Sequence, residues 1–233
     1  MANSEHLAAA RQGRSALIQW LEQNPDSTLD LSGADLSGID LSGVRMRNAN
    51  LEGANLSGCK LARTSMPGAN LTGANLEGAD LGRAGLTGSD LSGANLANVN
   101  MFWADVKQSN LNGTVLRSSH LMRTCFMNSD LTGADFSQAT MIEADLRSAN
   151  MTAAGFQAAN MNGADLSRAT MDGADFTLAK IRDSLWIMAD MRGATFDRAS
   201  LHRSDLNMAK YDETTLFPMG FDPNNTGYKD VMD

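Results

Sequence analysis

Ala34-Asp35-Leu36-Ser37-Gly38 and Ala74-Asn75-Leu76-Glu77-Gly78 share one order of residue types: small, short polar, large apolar, then two polar or glycine positions. Outward from these stretches the order persists. Every fifth residue from Leu31 to Leu216 is large and apolar, 38 positions with no insertion. A period of five matches neither the two-residue alternation of a strand nor the 3.6 of a helix. Two places before each large residue the chain admits nothing long: of 37 positions from Ala34 to Thr214, 23 are Ala and the rest are Ser, Thr, Val, Cys or Ile. The residue between is often Asp or Asn, whose short side chains bond nearby backbone N–H groups at turns. Gly fills the last place of the motif 15 times, which suits tight corners.

One large and one small side chain per five residues must point inward, and a single coil cannot bury them. Stacked coils can, each large residue lying on its equivalent in the coil below. Phe136, Phe156, Phe176 and Phe196 recur every 20 residues, as do Met151, Met171 and Met191. Four units per coil are therefore expected, with the four Phe rings forming a structural stack at distances where aromatic pairs attract.

The run Ala-Asp/Asn-Leu-X-X, over about 190 of 233 residues, resembles the pentapeptide-repeat family, in particular its cyanobacterial members. The resemblance implies an all-β solenoid, a right-handed quadrilateral β-helix of about 9.5 coils with an N-terminal helical cap, roughly 45 Å long at the strand spacing. The expected boundaries are a helical cap over 1–28, the repeat region over 29–220, and a closing segment with a polar tail over 221–233.

An open apolar end would stack on a neighbour, so both ends need closing. Ser4 to Gln23 reads as helix, interrupted at Gly13 and ended by Asn24-Pro25; Leu17, Trp20 and Leu21 are expected to cover the first coil. After Leu216 the pattern decays into Phe217-Pro218-Met219-Gly220-Phe221-Asp222-Pro223, with Phe217 and Phe221 as plugs for the last coil. This segment resembles the closing segment of cyanobacterial family members.

Catalysis finds no foothold. His6, His120 and His202 are too far apart to form a ligand set by spacing, the Asp residues follow the repeat, and no serine elbow or phosphate loop occurs. No catalytic, cofactor-binding or metal-binding residue is assigned, and no cofactor is expected. Cys59 and Cys125 lack paired spacing. With no apolar run near 20 residues and no signal-like start, the chain reads as cytoplasmic without membrane insertion. A net charge of −8 argues against direct nucleic-acid binding.

Function is then expected on the outer faces. Phe102, Met122 and Ile142 occupy one outward place in successive coils, with Trp103 beside the first and Lys107, Arg123 and Glu143 around them. Such a strip is a candidate protein-binding site. The expected function is a non-enzymatic protein–protein interaction scaffold or regulator presenting rigid solenoid faces to an unidentified protein partner, as monomer or homodimer. The resemblance adds a second reading, a DNA mimic that binds or protects DNA gyrase. Against it, 13 of the 21 acids between Asp30 and Gly220 precede the large inward residue, where local bonds engage them, and 16 Lys or Arg interrupt the field. A structural spacer is a third reading.

Overall fold

The structure is a computed structural model and describes residues 2–223. Its unit is seen in Leu71-Thr72-Gly73-Ala74-Asn75. Leu71 and Ala74 are buried and Gly73 is exposed. The Ala74 N–H donates to Leu71 O at 3.0 Å, and Gly73 has φ 63°, the positive φ that a type II turn requires at its third residue. Three other donors reach neighbouring coils: Leu71 N to Asp90 O (2.6 Å), Gly73 N to Ser92 O (2.9 Å) and Asn75 N to Ala54 O (2.9 Å). The fifth, Thr72 N, donates to Asn70 Oδ1 at 3.0 Å. Every donor of the unit is thereby satisfied, and the short Asx side chain before the large residue supplies the one acceptor that the backbone does not.

Parallel bridges join residues 20 apart, from Asp30 with Asn50 to Asp190 with Lys210. Only the last residue of each unit takes part. The third residue of every unit from Gly33 to Met208 has positive φ, whether Gly or not, so the backbone changes direction before a second consecutive residue can pair.

The all-β architecture is therefore corrected. Among the described residues there is no β-strand and no sheet; the bridges are isolated single residues, and the only regular elements are two helices. The right-handed quadrilateral β-helix that the resemblance implied, and the cyanobacterial type of solenoid with it, does not describe this chain. A turn in every unit leaves no run of extended backbone long enough for a strand. Three functional readings required that sheet-built architecture and fall with it: the scaffold or regulator with rigid solenoid faces, the gyrase-binding DNA mimic, and the spacer.

The core is continuous from Ala9 to Leu206. Where the small place is Ser, its hydroxyl is bonded within the core: Ser129 Oγ donates to Val106 O at 2.9 Å and accepts from Ser109 N at 3.2 Å. Such hydroxyls cost little to bury because they are paired.

At the N-terminal end, α1 (Ser4–Arg11) and α2 (Arg14–Gln23) are separated by Gly13, φ 87°. Asn3 Oδ1 caps α1 by accepting from Glu5 N and His6 N. At the other end the register slips. Thr195 bridges Leu216 across 21 residues, not 20. Leu216, expected inward, is 59% exposed, while Thr215 is buried and Phe217 packs against the core. Thr214 Oγ1 and Thr215 Oγ1 bond Gly193 N and Met191 O, accommodating the extra residue. The polar tail assigned to 224–233 lies outside the described residues.

Candidate functional site

Phe102 and Trp103 are the second and third residues of one unit, where most units expose polar groups or Gly. Trp103 has φ 58°, a conformation disfavoured for so bulky a residue. Its N–H donates to Met122 O at 3.1 Å, and Arg123 N–H donates to Ile142 O at 2.9 Å. These bonds place Phe102–Trp103, Met122–Arg123 and Ile142–Glu143 at equivalent positions in three successive coils.

Phe102 is 36% and Trp103 51% exposed, their rings meeting edge to face at 6.2 Å. The Arg123 guanidinium lies 5.3 Å from the Trp103 ring centroid, and its Nε donates to Glu143 Oε2 at 2.6 Å. That hydrogen bond holds the Glu143 carboxyl below the usual range. Met122 and Ile142 are half-buried. Lys107 stands apart, one unit further on, with Nζ on Asp105 Oδ2 at 2.8 Å; this bond raises its pKa.

The other aromatic series is internal. Phe136, Phe156, Phe176 and Phe196 are fully buried, with successive centroids 4.9, 4.8 and 4.9 Å apart and planes within 6°. Trp186 packs edge-on to Phe176 and Phe196, its indole N–H donating to Ser184 Oγ at 2.7 Å. Phe217 continues the column beyond Phe196 at 5.8 Å and stacks with Phe221 at 5.4 Å. Leu17 is buried; Trp20 and Leu21 are half-buried and packed on the core.

Sequence reasoning missed His6. Its Nδ1 accepts from Asp30 N at 2.9 Å, while Asn3 N donates to Asp30 O at 3.1 Å, so the first turn of α1 pairs the edge of the first coil. His6 also meets Trp20 edge-on at 4.5 Å, and Trp20 Nε1 donates to Glu5 Oε1 at 2.7 Å. No repeat pattern could signal this. The exposed Leu178, and Met188 and Met208 in a different column, were also missed, although the last two are 20 apart.

The Asp side chains are largely engaged in turns. Bonds from the N–H and hydroxyl two residues on hold Asp35 and Asp40 below their usual pKa. For Asp145 burial pushes upward, but the side-chain and backbone bonds from Arg147 outweigh it. Both cysteines are free, and burial pushes their thiols up. Among the described residues no group of three or more His, Cys, Asp or Glu is placed to hold a metal ion, and no helix is long and apolar enough to cross a membrane.

Residues 30–68, 65–101, 94–138, 129–168, 149–185 and 174–210 match the family described as pentapeptide repeats. Among solved structures, the chain is similar to full-length QnrB1, a plasmid-mediated fluoroquinolone resistance protein: 21% identity, 79% of this chain and 92% of that one, TM-score 0.62. It is also similar to HetL, a pentapeptide repeat protein involved in heterocyst differentiation regulation from the cyanobacterium Nostoc sp. strain PCC 7120, with 24% identity, 88% and 93% coverage and TM-score 0.47. A pentapeptide repeat protein from the thylakoid lumen of Arabidopsis thaliana shares 35% identity over 47% of this chain and 69% of that one, TM-score 0.32. At these values the likeness to QnrB1 is one of fold alone. No curated protein sequence matches.

Proposed function

The chain belongs to the pentapeptide-repeat family, a non-catalytic repeat family, and from that premise we propose that it acts by binding another protein at the cluster of Phe102, Trp103, Met122 and Ile142. One observation carries this: two large aromatic rings stand exposed side by side, in a chain whose other large aromatics mostly pack inside or at the ends. Aromatic side chains in a local apolar cluster are the usual anchors of an interface, and flanking charges orient the encounter. Arg123 and Glu143 supply such a rim. Lys107, tied to Asp105 on the neighbouring unit, is the outlying member. Sheet faces are not required; the site is local.

The finer assignments belong to the same proposal: a protein partner, no direct nucleic-acid contact, a cytoplasmic location, and a monomer or homodimer. A net charge of −8 supports the second. Residues 1–28, 29–220 and 221–233 are taken as cap, repeat region and closing segment.

The test places a photo-crosslinking residue at Phe102 and, as control, at Thr72 on another face. Site 102 is expected to capture one discrete partner that site 72 does not, and the triple replacement of Phe102, Trp103 and Met122 by Ser is expected to lose it with the melting temperature unchanged. Equal capture at both sites, or an unaffected triple variant, overturns the assignment.

A further inference from the structure

Arg63, Arg83, Trp103 and Arg123 are the third residues of units 20 apart, with φ of 58°, 60°, 58° and 58°. Each N–H donates to the next coil: Arg63 to Gly82 O, Arg83 to Phe102 O, Trp103 to Met122 O and Arg123 to Ile142 O, at 2.8–3.1 Å. Four successive coils thus present their corner side chains in one line, about 14 Å long at the spacing of paired backbones. The line continues toward the N-terminal end: an Arg14 guanidinium nitrogen of α2 lies 3.5 Å from where a Cβ on Gly43, the equivalent residue one coil earlier, would stand.

Arg63 and Arg83 differ from the surface cations that are held in ion pairs. Lys107, Arg117, Arg123, Arg147, Arg192, Arg198 and Arg203 each have a carboxylate within ion-pair distance. Among the described residues Arg63 and Arg83 have none, and both are exposed. Asp80, just before the unit of Arg83, has its Oδ1 occupied by Gly82 N at 3.0 Å and Asn100 Nδ2 at 2.8 Å. Two unpaired guanidiniums therefore lead, coil by coil, into an exposed indole and the apolar group beside it.

We propose that the ridge of Arg63, Arg83 and Trp103 binds an extended acidic segment of a partner protein, its carboxylates on the two guanidiniums and an apolar side chain against Phe102 and Met122. This rests on the protein-binding function proposed above and gives the partner its chemistry. Charge complementarity selects the occupant, since planar guanidiniums match carboxylates bidentately. Same-face side chains of an extended peptide recur about every 6.7 Å, so acid, acid and apolar residues at alternate positions span about 13 Å, which lies between the roughly 10 Å from Arg63 to Trp103 and the roughly 14 Å of the whole line. A single-stranded nucleic acid could also stack on an indole. The apolar flank of Phe102, Met122 and Ile142 favours the peptide, which can carry an apolar side chain beside its carboxylates.

The test uses fluorescence anisotropy with the whole protein and a labelled peptide Ser-Glu-Ser-Glu-Ser-Leu-Ser, its Gln-for-Glu counterpart, and a labelled oligothymidylate. The Glu peptide is expected to bind, weakening with salt, and to lose affinity about tenfold or more in R63E/R83E and in the milder R63Q/R83Q. R168E, which alters an unpaired arginine in another column, should leave it unchanged. Equal binding of Glu and Gln peptides, tighter binding of the oligonucleotide, or unchanged affinity in R63Q/R83Q would overturn the proposal. The two levels separate cleanly. If R63Q/R83Q retains the crosslinked partner that the Phe102/Trp103/Met122 triple variant loses, the acidic ligand is wrong and the apolar site stands; if neither affects it, both fall.

Discussion

Leu216 pairs with Thr195 across 21 residues, whereas the bridge before it, Asp190 with Lys210, spans 20. The extra residue turns Leu216 out to solvent and brings Thr215 and Phe217 to the core, so the column of inward rings ends on Phe217, not Leu216. Leu216→Ser is accordingly expected to leave stability within about 0.5 kcal/mol, while Phe217→Ala, half-buried on Phe196, costs about 2 kcal/mol. Urea denaturation of the two variants checks this. A larger loss for Leu216→Ser would restore the unslipped register.

The small inward place is limited in size throughout. Ala154 is buried in the core, whereas Ala158 is exposed in a column where Leu178 already stands. Ala154→Leu is expected to cost roughly 1–3 kcal/mol through overpacking, and Ala158→Leu to fall within about 0.5 kcal/mol of wild type. Reversal of that order in chemical denaturation would mean that inside and outside are misassigned.

Corner conformation makes a separate, purely backbone prediction. Gly73 has φ 63° and nothing within 4 Å of where an added Cβ would stand, so Gly73→Ala meets no clash and reports the left-handed backbone alone. A loss of about 1 kcal/mol is expected. Gln108→Gly, at φ 59°, should change stability in the opposite direction. Matching signs in the two measurements would show that the corner conformation is not what matters.

Acid should weaken the stack of coils. Asp35, Asp40 and Asp212 have folded pKa values lowered chiefly by bonds from the residue two places on. A depressed carboxylate contributes stability that is fully present above its unfolded pKa, about 3.9, and is lost as pH falls through the folded value. Denaturation midpoints are therefore expected to hold steady from neutral pH to about 5 and to drop below about 4. Asp35→Asn with Asp40→Asn keeps an Oδ1 acceptor without the charge and should flatten the drop. An unchanged acid slope in that double variant would place the titrating groups elsewhere.

His6 gives the N-terminal prediction. Replacing it by Ala leaves the Asp30 N–H without its acceptor and opens the edge of the first coil, for about 1–2 kcal/mol. Removing residues 1–24 altogether should promote association, read by sedimentation velocity. A truncated chain that stayed monodisperse at full stability would exclude the capping role.

Residue types alone carry the five-residue alternation of large and small side chains, the 20-residue recurrence of Phe136 through Phe196, and the break in pattern at both ends. Side-chain size is carried residue by residue and repeats 38 times, so no knowledge of neighbours is needed to read it. How the backbone uses that pattern is set by contacts between coils. A turn with positive φ in each unit leaves one residue to bridge, so no regular strand forms among the described residues; the slip before Leu216 depends on which carbonyl faces which N–H in the preceding coil; the Arg123 guanidinium reaches Trp103 and Glu143 because coils 20 residues apart stack in line; and His6 reaches Asp30 across 24 residues from outside the repeat. Each is a relation between distant segments, set by hydrogen-bond geometry and stacking register, which residue types at a fixed spacing do not encode.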